Sequence, residues 1–181
     1  ESVLAALEDH ETGHRANVLR GVHFLAEAAT EAYEQARQRA ARYVNAAEAA
    51  EIVFTYGTTT AINLVAYSLG QMLEPGDEVV ISQLEHHSNI VPWQLLRDRA
   101  GIKLKMLPVS RDGRLDLDAL EDLVTPRCRL LAVSHISNVT GAVSDLSRLV
   151  AAARAVGAMV LVDGAQRAPH GALDVQALGV D

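Results

Sequence analysis

The chain predicts an α/β fold of three layers, with helices on both faces of a mainly parallel sheet. Three observations carry that expectation. Short β-branched or apolar runs alternate with helical stretches of ten or so residues, which requires parallel pairing and right-handed crossovers. Four of these runs end in clusters of polar residues, as expected where strand ends open onto a ligand crevice. The run at 158–166, Ala-Met-Val-Leu-Val-Asp-Gly-Ala-Gln, passes directly from apolar β-formers to a carboxylate, a glycine and an amide.

That last run predicts a central strand covered on both faces, where an ionised Asp163 is costly without a cation. Asp163 is therefore aimed at a ligand, or it caps a helix, or it bridges to a neighbouring arginine.

Composition narrows the class. The 181 residues are 49% hydrophobic, 22% charged and only 4% aromatic, a globular balance with enough chain for a substantial core. A formal charge of -7 argues against nucleic acid as a partner. No apolar run approaches the ~18 residues that read as a membrane span, and no basic start precedes an apolar stretch, so a cytoplasmic location without membrane attachment is expected. The single cysteine, Cys128, excludes an internal disulfide framework and a cysteine-rich metal site, and it reads as a small residue at a strand entrance. The first residue is Glu1 and the last residues lead towards a strand that does not come, so both ends read as cut.

In chain order, residues 2–8 begin as if inside a helix, and 10–21 are polar and aperiodic, a loop carrying Arg15 and Arg20, with His23 just beyond. Residues 1–24 are thus an N-terminal segment with a substrate-side loop, and 25–181 are the main, incomplete domain. From 25 to 44, Ala28, Ala29, Ala32, Tyr33, Ala36, Ala40 and Tyr43 recur at helical spacing while Glu31, Glu34, Arg37 and Arg39 face away. Residues 52–55 form a short β-branched run before Tyr56-Gly57-Thr58-Thr59-Thr60, which opens a helix to Leu69. The unpaired N–H groups of a helix start and the threonine hydroxyls suit a phosphate, although an ordinary threonine cap explains the same residues.

Pro75-Gly76-Asp77 turns into a strand at 78–82, followed by Glu85-His86-His87-Ser88-Asn89 and a helix at 91–100. Adjacent histidines should point in different directions, leaving one a bystander, and a metal on His86, His87 and His135 is disfavoured. The strand at 102–109 carries the only two lysines, Lys103 and Lys105, on one face. Like charges there imply a solvated edge and argue against either as a covalent cofactor anchor. A short helix at 115–124, a strand at 130–134, the loop His135-Ile136-Ser137-Asn138-Val139-Thr140-Gly141 and a helix at 145–156 complete the order.

One rim then collects phosphate donors, an imidazole, a carboxylate and two amides. No Gly-x-Ser-x-Gly elbow, Walker sequence or Gly-x-Gly-x-x-Gly occurs. A phosphorylated aromatic cation fits this set. A carboxylate ~4 Å from a pyridinium nitrogen gains ~4 kcal/mol at an effective dielectric of ~20, about three pKa units, which keeps the ring protonated. Pyridoxal phosphate has that ring, and when protonated it is an electron sink for a carbanion.

The runs Arg20-Gly21-Val22-His23, Thr55-Tyr56-Gly57-Thr58-Thr59-Thr60-Ala61-Ile62-Asn63, Glu85-His86-His87-Ser88-Asn89-Ile90-Val91-Pro92-Trp93, Ser134-His135-Ile136-Ser137-Asn138-Val139-Thr140-Gly141 and Val162-Asp163-Gly164-Ala165-Gln166 resemble the SufS/CsdA-type cysteine desulfurases of the class V aminotransferase family. The resemblance covers almost the whole chain. It implies the large domain of a type I, aspartate aminotransferase-like pyridoxal-phosphate fold, with Thr58 and Thr59 on the cofactor phosphate. It further implies that His86 stacks on the ring and aids proton transfer, that Asn138 lies beside ring and substrate, that Asp163 pairs with the ring nitrogen and that Gln166 bonds the ring hydroxyl. Arg20 would lie on the substrate side. Such enzymes convert L-cysteine to L-alanine and pass the sulfur on as a persulfide for iron–sulfur cluster assembly. A homodimer and a sulfur-acceptor protein are the implied partners.

The chain departs from the family in several places. Leu19 replaces a histidine common before Arg-Gly, and Arg167 follows Gln166. The family's cofactor lysine, in a Ser-x-His-Lys segment, and its persulfide cysteine lie beyond the position of Asp181, so the 181 residues alone are expected to show little turnover. Alternative functions are another class V enzyme, such as a selenocysteine lyase or an amino-acid epimerase, and a catalytically dead paralogue acting as a scaffold.

Overall fold

A computed structural model of the chain describes residues 2–181. Two compact units, Glu1–Phe54 and Thr55–Asp181, divide it. In the first, helix α1 (Ser2–Asp9) runs into a π-helical turn at His10–His14 where a loop is expected. The Thr12 hydroxyl donates to Glu8 O at 2.6 Å and Arg15 pairs with Glu11 at 2.8 Å, local bonds that hold a polar stretch in helical form.

Helix α2 (Phe24–Val44) begins at a His23 cap and ends at Asn45, whose φ of 53° is a left-handed stop. Its buried positions are Ala26, Ala29 and Ala41, while Ala32, Ala36 and Tyr43, expected inside, are exposed. Arg37, expected to face away, is half-buried, 5.1 Å from the Tyr33 ring centroid and 5.7 Å from that of Phe54. An arginine stem and planar head can cover aromatic surface, which a pattern of apolar letters does not reveal.

The same contact explains a second difference. Residues 52–54 form no strand, because the Arg37 guanidinium donates to Ile52 O and Phe54 packs edge-on against Tyr33 at 5.3 Å. β-branched propensity without a ladder partner leaves a segment irregular. A 3-10 turn, Ala49–Glu51, precedes it, closed by reciprocal bonds between Glu48 and Glu51.

The second unit holds helices α3 (Thr58–Leu69), α4 (Val91–Ala100), α5 (Leu120–Leu123), α6 (Leu146–Ala155) and α7 (Val175–Leu178) and strands β1 (Glu78–Ser82), β2 (Lys103–Leu107), β3 (Cys128–Ser134) and β4 (Met159–Asp163). The strands are all parallel, in the order β2-β1-β3-β4. Period-2 alternation sorts the core into two layers. Val80, Leu131 and Val133 pack with Leu120, Leu146, Leu149 and Ala153 on one face. Val79, Ile81, Leu130 and Ala132 pack with Ile62, Ala66, Trp93 and Leu96 on the other. The expected three layers are thus present, with α5 and α6 on one side and α3 and α4 on the other.

Among the described residues β4 is the outer member beside β3, and Met159, Leu161 and Val162 are only half-buried. At the opposite edge, Lys103 is exposed on β2 as expected. Lys105 instead reaches across to buried Glu78 at 2.7 Å and donates to Leu123 O at 3.2 Å.

Candidate cofactor site

A cavity of about 320 Å³ opens where four polar segments of the second unit meet, lined by residues 56–60, His86, Ser88, Ser134, Ile136, Asn138, Asp163, Ala165 and Gln166. Parallel strands with helical crossovers place every strand exit at one end of the sheet, so residues as far apart in sequence as Tyr56 and Gln166 share this rim without further design.

The helix α3 start is the first component. Its cap is Gly57, not a threonine: φ is 141°, ψ is 175°, and no side chain closes the turn. Thr55 shapes the entry, its hydroxyl donating to Gly57 O at 3.0 Å. Thr58 and Thr59 therefore occupy the first helical turn, where N–H groups have no intrahelical acceptor. Amides, hydroxyls and the positive end of the helix dipole make an anion seat there.

Asp163 is the second. It is 7% exposed, it accepts one hydrogen bond at Oδ1 from Ala165 N at 2.9 Å, and it forms no ion pair among the described residues. Both ordinary alternatives are thereby weakened: no arginine bridges to it, and no helix begins on it. A buried carboxylate lining a cavity without a cation is configured for a cationic ligand group. Gln166 and Asn138, both exposed, bring amide groups to the same lining.

His86 is the third. Its Nδ1 lies 2.8 Å from Ser88 Oγ and accepts from Ser88 N at 3.2 Å. Sequence adjacency with His87 does not separate the rings as expected. They stack with centroids 4.0 Å apart and a 37° tilt, made feasible by the 3-10 turn His87–Asn89. His87 is exposed and absent from the lining, the bystander of the pair.

Beneath this rim sits a carboxylate that the sequence does not single out. Glu85, 8% exposed, accepts from Ser82 Oγ, from Asn89 Nδ2 at 2.7 Å, and from Ser134 N and Oγ at 2.9 and 2.6 Å. Asn89 in turn accepts from Trp93 Nε1 at 2.9 Å. Burial pushes the Glu85 carboxyl up, opposed by its hydrogen bonds from Ser134, Ser82 and Asn89. The network ties the exit of β1 to the end of β3, one residue from His86. A glutamate directly before a histidine pair is the only sequence signal for it.

Of the residues expected at the site, Thr58, Thr59, His86, Asn138, Asp163 and Gln166 are brought together. Arg20 belongs to the first unit, where it is exposed. His135 does not line the cavity; its buried Nδ1 has no hydrogen-bond partner among the described residues, and burial followed by the Arg167 charge pushes its pKa down. Among the described residues, no three histidine, cysteine or acidic side chains are placed to hold a metal.

A family model described as aminotransferase class-V matches residues 1–181. The chain belongs to the class V aminotransferase family. Within this family it is 50% identical over 167 residues to a cysteine desulfurase of Pectobacterium carotovorum subsp. carotovorum (strain PC1), covering 92% of this chain and 41% of that one. The crystal structure of the cysteine desulfurase CsdA from Escherichia coli matches with a TM-score of 0.89 at 41% identity, covering 99% of this chain and 45% of that one. A mutant of C-DES with glycine covalently linked to its pyridoxal-phosphate cofactor matches with a TM-score of 0.81 at 27% identity, covering 99% of this chain and 46% of that one. The expected fold class is that of these class V structures, and the chain spans less than half the length of the relatives named.

Proposed function

We propose that this class V chain carries the cofactor-binding part of a pyridoxal-phosphate-dependent cysteine desulfurase, acting on L-cysteine to give L-alanine and passing the sulfur on as persulfide. The observation that carries the reading is the union in one cavity of a helix start at Gly57–Thr58 that no side chain caps and a buried Asp163 without an ion pair among the described residues. A phosphate and a ring cation on one small molecule satisfy both. The relatives support cysteine as the substrate.

The residues present fit that cofactor. Thr58 and Thr59 would hold its phosphate, Asp163 its protonated ring nitrogen, Gln166 its ring hydroxyl and His86 one face of the ring. When bound, pyridoxal phosphate supplies an electron sink at the substrate α-carbon. Asp163 keeps that sink charged, since the Ala165 N–H fixes one carboxylate oxygen and burial excludes competing water. Gly57 lets the backbone turn its amides towards the phosphate; a Cβ there meets no atom within 4 Å, so the glycine answers to its φ and not to crowding. Asn138 orients substrate beside the ring.

No lysine lines the cavity: Lys105 is committed to Glu78, and Lys103 is exposed on the β2 edge. The 181 residues are therefore predicted to bind the cofactor reversibly, so that borohydride leaves no cofactor fixed to them. The wider proposal is a cytoplasmic homodimer delivering sulfur to an acceptor protein for iron–sulfur cluster assembly, with Arg20 on the substrate side.

The test is titration with pyridoxal phosphate followed by visible absorbance, then assay of the full-length gene product with L-cysteine. Asp163→Asn should retain cofactor but lose roughly 10³-fold in turnover, the factor that three pKa units represent. No cofactor binding at all would sink the enzyme reading and leave a scaffold role.

A further inference from the structure

We propose that the Ser88 backbone N–H holds His86 as its Nε2–H tautomer, so that the ring offers the cavity a hydrogen-bond donor and no lone pair.

A backbone N–H can only donate, and Ser88 N lies 3.2 Å from His86 Nδ1. That nitrogen must therefore present its lone pair. In a neutral imidazole one nitrogen is the acceptor and the other carries the proton, so Nε2 is protonated. Ser88 Oγ, 2.8 Å from the same Nδ1, can turn its proton to either need and does not oppose the assignment. Nε2 has no protein partner among the described residues, and the ring lines the cavity.

The turn that supplies the N–H cannot easily move. Ser88 is 6% exposed, Asn89 is fully buried and is held by Glu85 and Trp93, and Asn89 N donates to His86 O at 2.8 Å. The exposed His87 ring packs against that of His86, with centroids 4.0 Å apart. A proton taken up by the ring would have to enter at Nδ1, facing the Ser88 N–H and not the cavity.

The consequence for the reaction rests on the function proposed above. His86 is then a fixed donor to the bound cofactor and not the base that removes a proton at the reacting carbon. That narrows the proton-transfer role implied by the family resemblance.

Long-range proton–nitrogen correlation spectra of the ¹⁵N-histidine-labelled protein without cofactor read the tautomer directly. A pyridine-like Nδ1 and a pyrrole-like Nε2 for His86, unchanged in Ser88→Ala because the backbone donor remains, are expected. A protonated Nδ1 in either protein overturns the proposal. A second arm compares His86→Gln, whose amide nitrogen reaches the place of Nε2, with His86→Asn, whose amide reaches only that of Nδ1. Both lose the ring face, but Gln should bind pyridoxal phosphate about tenfold tighter than Asn, the worth of one hydrogen bond. Equal or reversed affinities overturn the donor role. If the unsubstituted protein binds no pyridoxal phosphate, the proposed function falls, and the spectra still decide the tautomer.

Discussion

Cys128 and Glu78 show how differently burial acts on single residues. The Cys128 thiol is fully buried at the start of β3, where desolvation pushes its pKa up to about 11. It should therefore remain a thiol at neutral pH. Native protein is expected to react with a thiol reagent about 10²-fold more slowly than urea-unfolded protein, since the thiolate is the nucleophile. Equal rates would mean that β3 is open at this point. For Glu78, burial raises the pKa, but hydrogen bonds from Lys105 and Thr125 and the charges of Lys105 and Lys103 outweigh it, leaving the carboxyl below its ordinary 4.5. A lowered folded-state pKa gives stability that is complete above the unfolded value and lost as pH falls through the folded one. Lys105→Met should cost about 3 kcal/mol near pH 7, because it strands a buried carboxylate, and the gap should close as pH falls through the lowered pKa of Glu78. Urea unfolding at several pH values measures this, and a gap independent of pH would show that packing by the lysine stem, not charge, is what matters. Glu85 acts in the opposite sense: its raised pKa is a burden at neutral pH that protonation relieves.

Among the elements, the turn into α3 has the most to reveal. Gly57 holds a φ of 141°, a region that residues with a Cβ occupy only under strain, although space around it is open. Gly57→Ala is expected to lose about 1–3 kcal/mol of stability and to weaken pyridoxal phosphate binding by disturbing the first-turn amides. Unchanged affinity with reduced stability would separate the cap from the anion seat. The Glu85 network does for the β1 exit what no helix cap can do there. Four donors converge on one carboxylate and join two strands that already pair through Glu78, Val79, Val80 and Ile81. The His86 turn is thereby fastened to the sheet and not only to its own loop.

For the whole molecule, the cofactor reading makes a thermal prediction. A ligand that binds only the folded state at 100 times its Kd adds about 2.7 kcal/mol, which for a chain of this size raises the Tm by roughly 5–10 °C. Pyridoxal phosphate should produce that shift, and Asp163→Asn should diminish it. An equal shift from inorganic phosphate alone would assign the effect to the helix start without the ring. The two compact units make this a useful global probe, since the cavity lies within Thr55–Asp181 and a biphasic melt would show which transition the cofactor moves.

The local pattern determined most of the second unit. Alternating β-rich and helical runs require parallel strands, parallel strands put their exits on one rim, and Thr58, His86, Asn138, Asp163 and Gln166 meet there for that reason. Family resemblance added the cofactor to which these residues answer. What periodicity could not reach were matters of partnership. Residues 52–54 have strand-like composition but lose their carbonyl to Arg37, and Lys105 reads as solvated yet neutralises Glu78. Each depends on a group distant in sequence. The same holds for Glu85 and for the orientation of the His86 ring: sequence names the donors and acceptors, and only their positions in space decide which of them pair.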